Sequence, residues 1–311
     1  MSWYPVALPR LDGRTYLVTG ANAGLGFFTS ARLAGQGAHV VLSGRNPERL
    51  AAAVAALRER LPEASVDTLV VDTSSLASVG AAAAEVQAFD RLDGLVLNAG
   101  MVHTPRAREE SVDGNELVLA TNHLGHFAFV GQVLPVLERS DAARIVWLGS
   151  LSSRLSGFGI DDLQLERRYD AWTAYAHSKI ATQSTGFELA RRLGAAGSPV
   201  ASIVAHPGYS ISGRTPRVPG VSDPSTGERF VDHLQSPFTQ GKHRGAEPVL
   251  VAATSPDALN GDYWGPVGWT KGAPARQVPT RTSTDAAVAA RLWQLSEQWA
   301  GVSVPVGGAR G

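Results

Sequence analysis

Thr15-Tyr16-Leu17-Val18-Thr19-Gly20-Ala21-Asn22-Ala23-Gly24-Leu25-Gly26 is the stretch on which the fold turns. Its first five residues are mostly β-branched, apolar or aromatic and read as a buried strand. Three glycines then mark a turn, after which a helical pattern begins. Glycines at a strand-to-helix turn let the backbone approach an anion closely, and the first N–H groups of the helix point at it. The spacing Gly20-x-x-x-Gly24-x-Gly26 departs from the usual G-x-G-x-x-G of dinucleotide turns. Gly20, Asn22, Gly24, Leu25 and Gly26 are therefore candidates to cradle a pyrophosphate.

The same rhythm continues outward. Short apolar runs at Thr15–Thr19, His39–Ser43, Asp67–Val71, Gly94–Leu97, Arg144–Gly149 and Val200–Ala205 read as strands. Helical stretches lie between them at Gly26–Ala34, Pro47–Leu61, Leu76–Phe89, Gly114–Glu138 and Trp172–Leu193. Strands that are apolar throughout, each followed by a helix, imply a parallel sheet covered on both faces. The expected fold is α/β, a single Rossmann-type doubly wound domain over residues 1–311. From Tyr209 to Gly245 prolines, glycines and serines accumulate, yet Phe230, Val231, Leu234 and Phe238 recur at roughly helical spacing. That segment reads as a partly helical lid. Beyond it the pattern gives a helix to Thr254, a strand near Tyr263 and a last helix over Asp285–Trp299.

Composition removes several classes of function. The chain has 311 residues, with 28 basic and 28 acidic side chains and zero net charge. A phosphate-neutralising nucleic-acid binder or an electrostatic membrane anchor would show a basic excess. With no cysteine there is no disulfide, thiolate nucleophile or cysteine-ligated metal. The start, MSWYPVALPR, does not read as a signal peptide, and no run of about 18 apolar residues points to a membrane span. A cytoplasmic protein without nucleic-acid or membrane partners is expected.

The second strand ends Leu42-Ser43-Gly44-Arg45-Asn46, with no acid to accept from ribose hydroxyls. A guanidinium pairs with a 2′-phosphate that a carboxylate would repel, so Arg45 points to NADP(H). Asp72, at the end of the third strand, suits either the adenine edge or a helix cap. Tyr175-Ala176-His177-Ser178-Lys179 places a phenol and an ammonium on one helix face. A nearby ammonium favours phenolate and brings the tyrosine toward the working range of an acid–base catalyst. The chain has 25 arginines and only three lysines, Lys179, Lys242 and Lys271, so this lysine is not an interchangeable cation. Ser150 ends the fifth strand on the rim where ligands bind, with Ser152 and Ser153 as competitors. Asn98-Ala99-Gly100 ends another strand on that rim. Asn122 falls inside a helix, where asparagine is a poor choice unless its amide is used. His123 and His126 lack a third ligand at matching spacing, so no metal site is expected.

Together, Thr19-Gly20-x-x-x-Gly24-x-Gly26, Asn98-Ala99-Gly100, Asn122, Ser150, Tyr175-x-x-x-Lys179 and His206-Pro207-Gly208 resemble the short-chain dehydrogenase/reductase family over nearly the whole chain. Thr121–Phe127 and Tyr175–Lys179 are similar to its retinol-dehydrogenase-like branch. The resemblance implies Tyr175 as the general acid, Ser150 as hydrogen-bond donor to the carbonyl oxygen, and Lys179 holding the nicotinamide ribose while lowering the Tyr175 pKa. It further implies Asn122 holding a water that connects Lys179 to solvent, with Pro207, Gly208 and Ser212 positioning the nicotinamide. The substrate would be a carbonyl compound or the corresponding alcohol, and both a monomer and a homo-oligomer stay open. Trp147 and Gly149 stand where the branch usually has Asn and Ser, and put the substrate in doubt. Phe158, Trp172, Tyr209, Phe230 and Phe238 are candidates to line an apolar pocket. Two rival readings remain: a non-catalytic NADP-binding regulator, and an epimerase or dehydratase acting on sugar nucleotides.

Overall fold

The computed structural model describes residues 7–306. Among the described residues ten strands form, in chain order, β1 Thr15–Thr19, β2 His39–Gly44, β3 Val66–Val70, β4 Gly94–Leu97, β5 Arg144–Leu148, β6 Ala201–Ala205, β7 Ser210–Ile211, β8 Gln240–Gly241, β9 Tyr263–Pro266 and β10 Pro274–Arg276. Eight of them make one sheet in the order β10-β9-β6-β5-β4-β1-β2-β3, and β7 and β8 pair separately. The large sheet is parallel except for β10, which pairs antiparallel with β9. This edge strand was not expected; three residues beginning at a proline carry no period to read.

The helices are α1 Gly24–Ala34, α2 Pro47–Arg60, α3 Leu76–Gln87, α4 Leu117–Leu119, α5 Gly125–Leu137, α6 Ala171–Ala195, α7 Thr226–Leu234, α8 Lys242–Thr254, α9 Arg281–Thr284 and α10 Ala286–Ala300. Alternation along the strands sorts the core into two layers. Leu17, Leu95, Ile145 and Trp147 pack with α3, α5, the end of α6 and α10. Tyr16, Val18, Val96, Val146 and Leu148 face α1, α2 and α8. Each such fully buried side chain contributes about 1.5–3 kcal/mol, and a one-residue slip would exchange the two faces.

The expected helix over Gly114–Glu138 begins later, at Leu117, because the Glu116 carboxylate caps it by accepting from Val118 and Leu119 N–H. The run Leu117–Leu137 is long and apolar enough to cross a bilayer by length and composition, but 83% of its window is buried within the domain. No such run was expected from the sequence. The interruptions His123, Gly125 and His126 hide it, and in the fold it is a core helix.

The segment from Tyr209 to Gly245 is more ordered than its composition implies. Pairing of Ser210 with Gln240 and Ile211 with Gly241 pins its two ends together. Between them α7 starts at a capping box, with Ser225 and Glu228 each bonding the other's backbone N–H.

Candidate active site

The carboxyl ends of β1, β4, β5 and β6 meet where the strand order reverses, the place at which open α/β sheets bind ligands. At the end of β1 the chain turns sharply into α1. A Cβ on Gly26 would stand 2.4 Å from the Gly20 carbonyl oxygen and 2.5 Å from Asn98 Nδ2, so only glycine fits. Ala23, which precedes α1, offers no side-chain cap, leaving the first N–H groups of the helix without a side-chain acceptor. This cradle suits a diphosphate. Asn22 lies against Gly44 at the end of β2, and the exposed Arg45 follows on that rim.

Asn98 does not reach outward. Its amide donates to the carbonyls of Thr19 at 2.8 Å and Gly20 at 3.3 Å, tying the turn to β4. The Thr19 hydroxyl accepts from the N–H groups of Asn98 and Ala99, both at 2.9 Å. His126 Nε2 lies 3.1 Å from the same hydroxyl, and its Nδ1 lies 3.3 Å from the Asn122 carbonyl. The link between Thr19 and His126 was not foreseen from the sequence, because it spans more than a hundred positions and has no local signature. Burial holds both His126 and His123 down to a pKa of about 3, so both are neutral. His123 Nε2 meets the Ser296 hydroxyl at 2.7 Å. Asp72 is not the helix cap: it accepts from the N–H and hydroxyl of Ser74, and Ser75 caps α3.

Asn122 sits in a π-helical turn, Ala120–Leu124, between α4 and α5. Such turns free backbone groups and are frequent at functional sites. Its Oδ1 accepts from Met101 N–H at 2.6 Å, while Nδ2 donates to the Ser178 hydroxyl at 2.9 Å. A Cβ on Gly100 would be 3.0 Å from Asn122 Oδ1 and 3.6 Å from Lys179 Nζ, so these three residues adjoin.

The 25-residue helix α6 carries both Tyr175 and Lys179. Tyr175 Oη donates to Ser150 Oγ at 3.3 Å. Of the competing serines, Ser153 donates its hydroxyl back to the Ser150 carbonyl, and the Ser152 hydroxyl is buried with no partner among the described residues. Gln183 Nε2 also bonds the Ser150 carbonyl, at 3.0 Å, and so braces the end of β5. Lys179 is buried and donates to the Leu148 carbonyl at 2.9 Å; desolvation lowers its pKa to about 8. Burial pushes the Tyr175 phenol up, and the hydrogen bond with Ser150 pulls the other way. In this geometry the Lys179 ammonium is hydrogen-bonded to the end of β5, and the influences resolved on Tyr175 are its burial and Ser150.

At the end of β6, Gly208 has φ +64°, and the Pro207 carbonyl accepts from Ser210 Oγ and Gln240 Nε2. The Ser212 carbonyl accepts from Thr215 N–H, closing the next turn. The two departures from the family pattern are internal adjustments. Trp147 is fully buried, donates to Ser202 Oγ at 3.1 Å, and occupies the space a Cβ on Gly186 would take. A Cβ on Gly149 would come within 2.8 Å of Gln183 Nε2, so the bracing glutamine excludes a side chain there.

Among the pocket candidates, Phe158 packs edge-on against His177 at 5.6 Å. Tyr209 bonds Gln235, while Phe230 and Phe238 are each 68% exposed. A surface depression of about 660 Å³ lies beside Thr15, His39 and Asp67, at the amino ends of the strands, away from Tyr175 and Ser150.

Residues 14–216 match the family model for short chain dehydrogenases. The chain is 34% identical to retinol dehydrogenase 14 of Mus musculus over 307 residues, covering 94% of this chain and 87% of that protein. It is also 34% identical to the polyprenol dehydrogenase of Mus musculus, covering 93% and 84%. A crystal structure of an uncharacterised protein from Mycobacterium paratuberculosis superposes with a TM-score of 0.78 at 32% identity, covering 96% of this chain and 97% of that one. The NADP active-site complex of Pseudomonas aeruginosa RhlG superposes at 0.61 with 25% identity, covering 82% and 95%.

Proposed function

We propose that this chain, which belongs to the short-chain dehydrogenase/reductase family, is an NADPH-dependent oxidoreductase. It would reduce a ketone or aldehyde of an apolar or aromatic small molecule to the alcohol, or run the reverse. The observation that carries this reading is the Tyr175 Oη–Ser150 Oγ contact of 3.3 Å with the buried Lys179 one helical turn along α6. A regulator without chemistry would not need a phenol, a hydroxyl and a desolvated ammonium gathered on one rim. The sugar-nucleotide reading draws no support from the two relatives described above, which are named retinol and polyprenol dehydrogenases.

The residues divide the work as follows. The turn at Gly20–Gly26 holds the diphosphate, and Arg45 supplies a guanidinium for a 2′-phosphate. Bound there, the nicotinamide cofactor supplies the hydride. Tyr175 hands its proton to the carbonyl oxygen of the substrate, and Ser150 donates a hydrogen bond to that oxygen as negative charge develops on it. Asn122 and Lys179 adjoin Gly100 beneath the site, placed to return a proton to Tyr175 through solvent. Aromatic side chains of the lid, Phe230 and Phe238, supply the apolar cover when the lid closes.

The test is a screen of NADPH and NADH oxidation against aldehydes and ketones of increasing apolar size, including retinoid and prenyl carbonyls. Turnover with NADPH on apolar carbonyls is expected. No turnover of any carbonyl or alcohol, with NADPH bound normally, would favour the regulator.

A further inference from the structure

Lys242 has no place in the site so far, yet it stands over the glycine turn. Pairing of Gly241 with Ile211 and the bond from Lys242 N–H to Thr215 Oγ1 at 2.9 Å fix its backbone at the start of α8. Its side chain then runs across to α1. A Cβ on Gly24 would lie 3.4 Å from Lys242 Cδ and 3.7 Å from Nζ. Gly24 itself has φ +57°, so this part of the turn presents bare backbone to the ammonium.

The ammonium makes no hydrogen bond or ion pair of its own among the described residues. Burial disfavours its charge, and the only groups that offset this are Asp232 and Glu228 on α7, acting at a distance. Both carboxylates are already engaged, Asp232 by Gly213 N–H at 2.7 Å and Glu228 by Ser225 N–H at 2.8 Å. A half-buried cation is thus held beside helix N–H groups, all of positive sign, while the two acids that act on it are already hydrogen-bonded elsewhere and neither pairs with it directly. That arrangement is unfavourable unless something negative joins it. The chain uses arginine for 25 of its 28 cations, so a lysine here is an exception. A compact ammonium on a flexible stem suits a point contact with phosphate.

Resting on the cofactor reading above, we infer that Lys242 is a second cationic contact for the cofactor, clamping its diphosphate against the Gly20–Gly26 turn from the lid side. The diphosphate then becomes the missing counter-ion. Because Lys242 follows directly on β8 and is drawn by the acids of α7, the same contact ties the lid to an occupied cofactor site.

Direct calorimetric binding tests this without any turnover. The ligands are NADPH, 2′-phospho-ADP-ribose, which keeps the diphosphate, and 2′-AMP, which lacks it. Lys242→Met is expected to weaken the first two by ten- to a hundredfold and 2′-AMP by less than twofold. Lys242→Arg should recover most of the affinity, and urea midpoints report whether either variant is damaged. Unchanged affinity for 2′-phospho-ADP-ribose in Lys242→Met, or equal loss for all three ligands, would overturn the inference. If the parent chain binds neither NADPH nor NADH, the cofactor reading falls and takes this one with it; normal parent binding isolates Lys242 as the point at fault.

Discussion

Replacing Thr19 by valine keeps shape and removes one hydroxyl. That hydroxyl accepts two backbone N–H bonds of 2.9 Å, from Asn98 and Ala99, and Thr19 itself is fully buried. Leaving a buried N–H without a partner costs about 1–3 kcal/mol. Both groups lie half-buried, so water can repair part of the loss, and about 2–4 kcal/mol is expected for the pair. Thr19→Ser keeps the acceptor and loses one methyl group, for about 1 kcal/mol. Urea unfolding of the two variants against the parent measures this directly, provided the slopes agree. The same junction holds the glycine turn against β4, so Thr19→Val should also weaken NADPH binding while Thr19→Ser does not. A valine variant that is as stable as the serine variant, or that loses less than about 0.5 kcal/mol, would refute the claim that this hydroxyl organises the strand ends.

Three further outcomes are expected. Arg45→Ala should weaken NADPH by about 1.5–3 kcal/mol, the range for a charged hydrogen bond, and leave NADH unchanged; calorimetry with both cofactors checks it. His123 and His126 have folded pKa values of about 3 against an unfolded value of 6.5. The unfolded chain therefore binds more protons between those limits. Stability should be whole above pH 6.5 and fall as pH drops toward 3, by about 1.4 kcal/mol per unit for each histidine. Urea midpoints at pH 7.5 and 5 should show the fall, and His123→Leu should make it shallower. Phe230→Ala and Phe238→Ala remove exposed lid aromatics, so they should alter the ranking of carbonyl substrates with NADPH affinity intact. An unchanged ranking in both variants would mean the lid does not touch substrate.

What could be read from the sequence was local. Tyr175 and Lys179 are one helical turn apart, and the three glycines of the first turn carry their purpose in their spacing, so both are legible in the sequence alone. The parallel sheet followed for the same reason, from apolar strands alternating with helices. What escaped was distant or concealed. Gln183 meets Ser150 across 33 positions and Thr19 meets His126 across 107, distances over which a sequence pattern says nothing. The start of the Asn122 helix was misplaced because Glu116 caps from outside the apolar run. Two signals were present and unused: Ser225-x-x-Glu228 is a capping box in plain view, and Lys242 is one of only three lysines.

The claim that Tyr175 moves the proton is the centre of the account, and Tyr175→Phe tests it most directly. The change removes one oxygen, whose bond in the structure is the 3.3 Å contact with Ser150 Oγ. With the best carbonyl substrate from the screen, turnover should fall by about a hundredfold or more. The dissociation constant for NADPH, measured on the same preparation, should stay within twofold of the parent. Turnover within tenfold of the parent would place the proton donor elsewhere and contradict the mechanism.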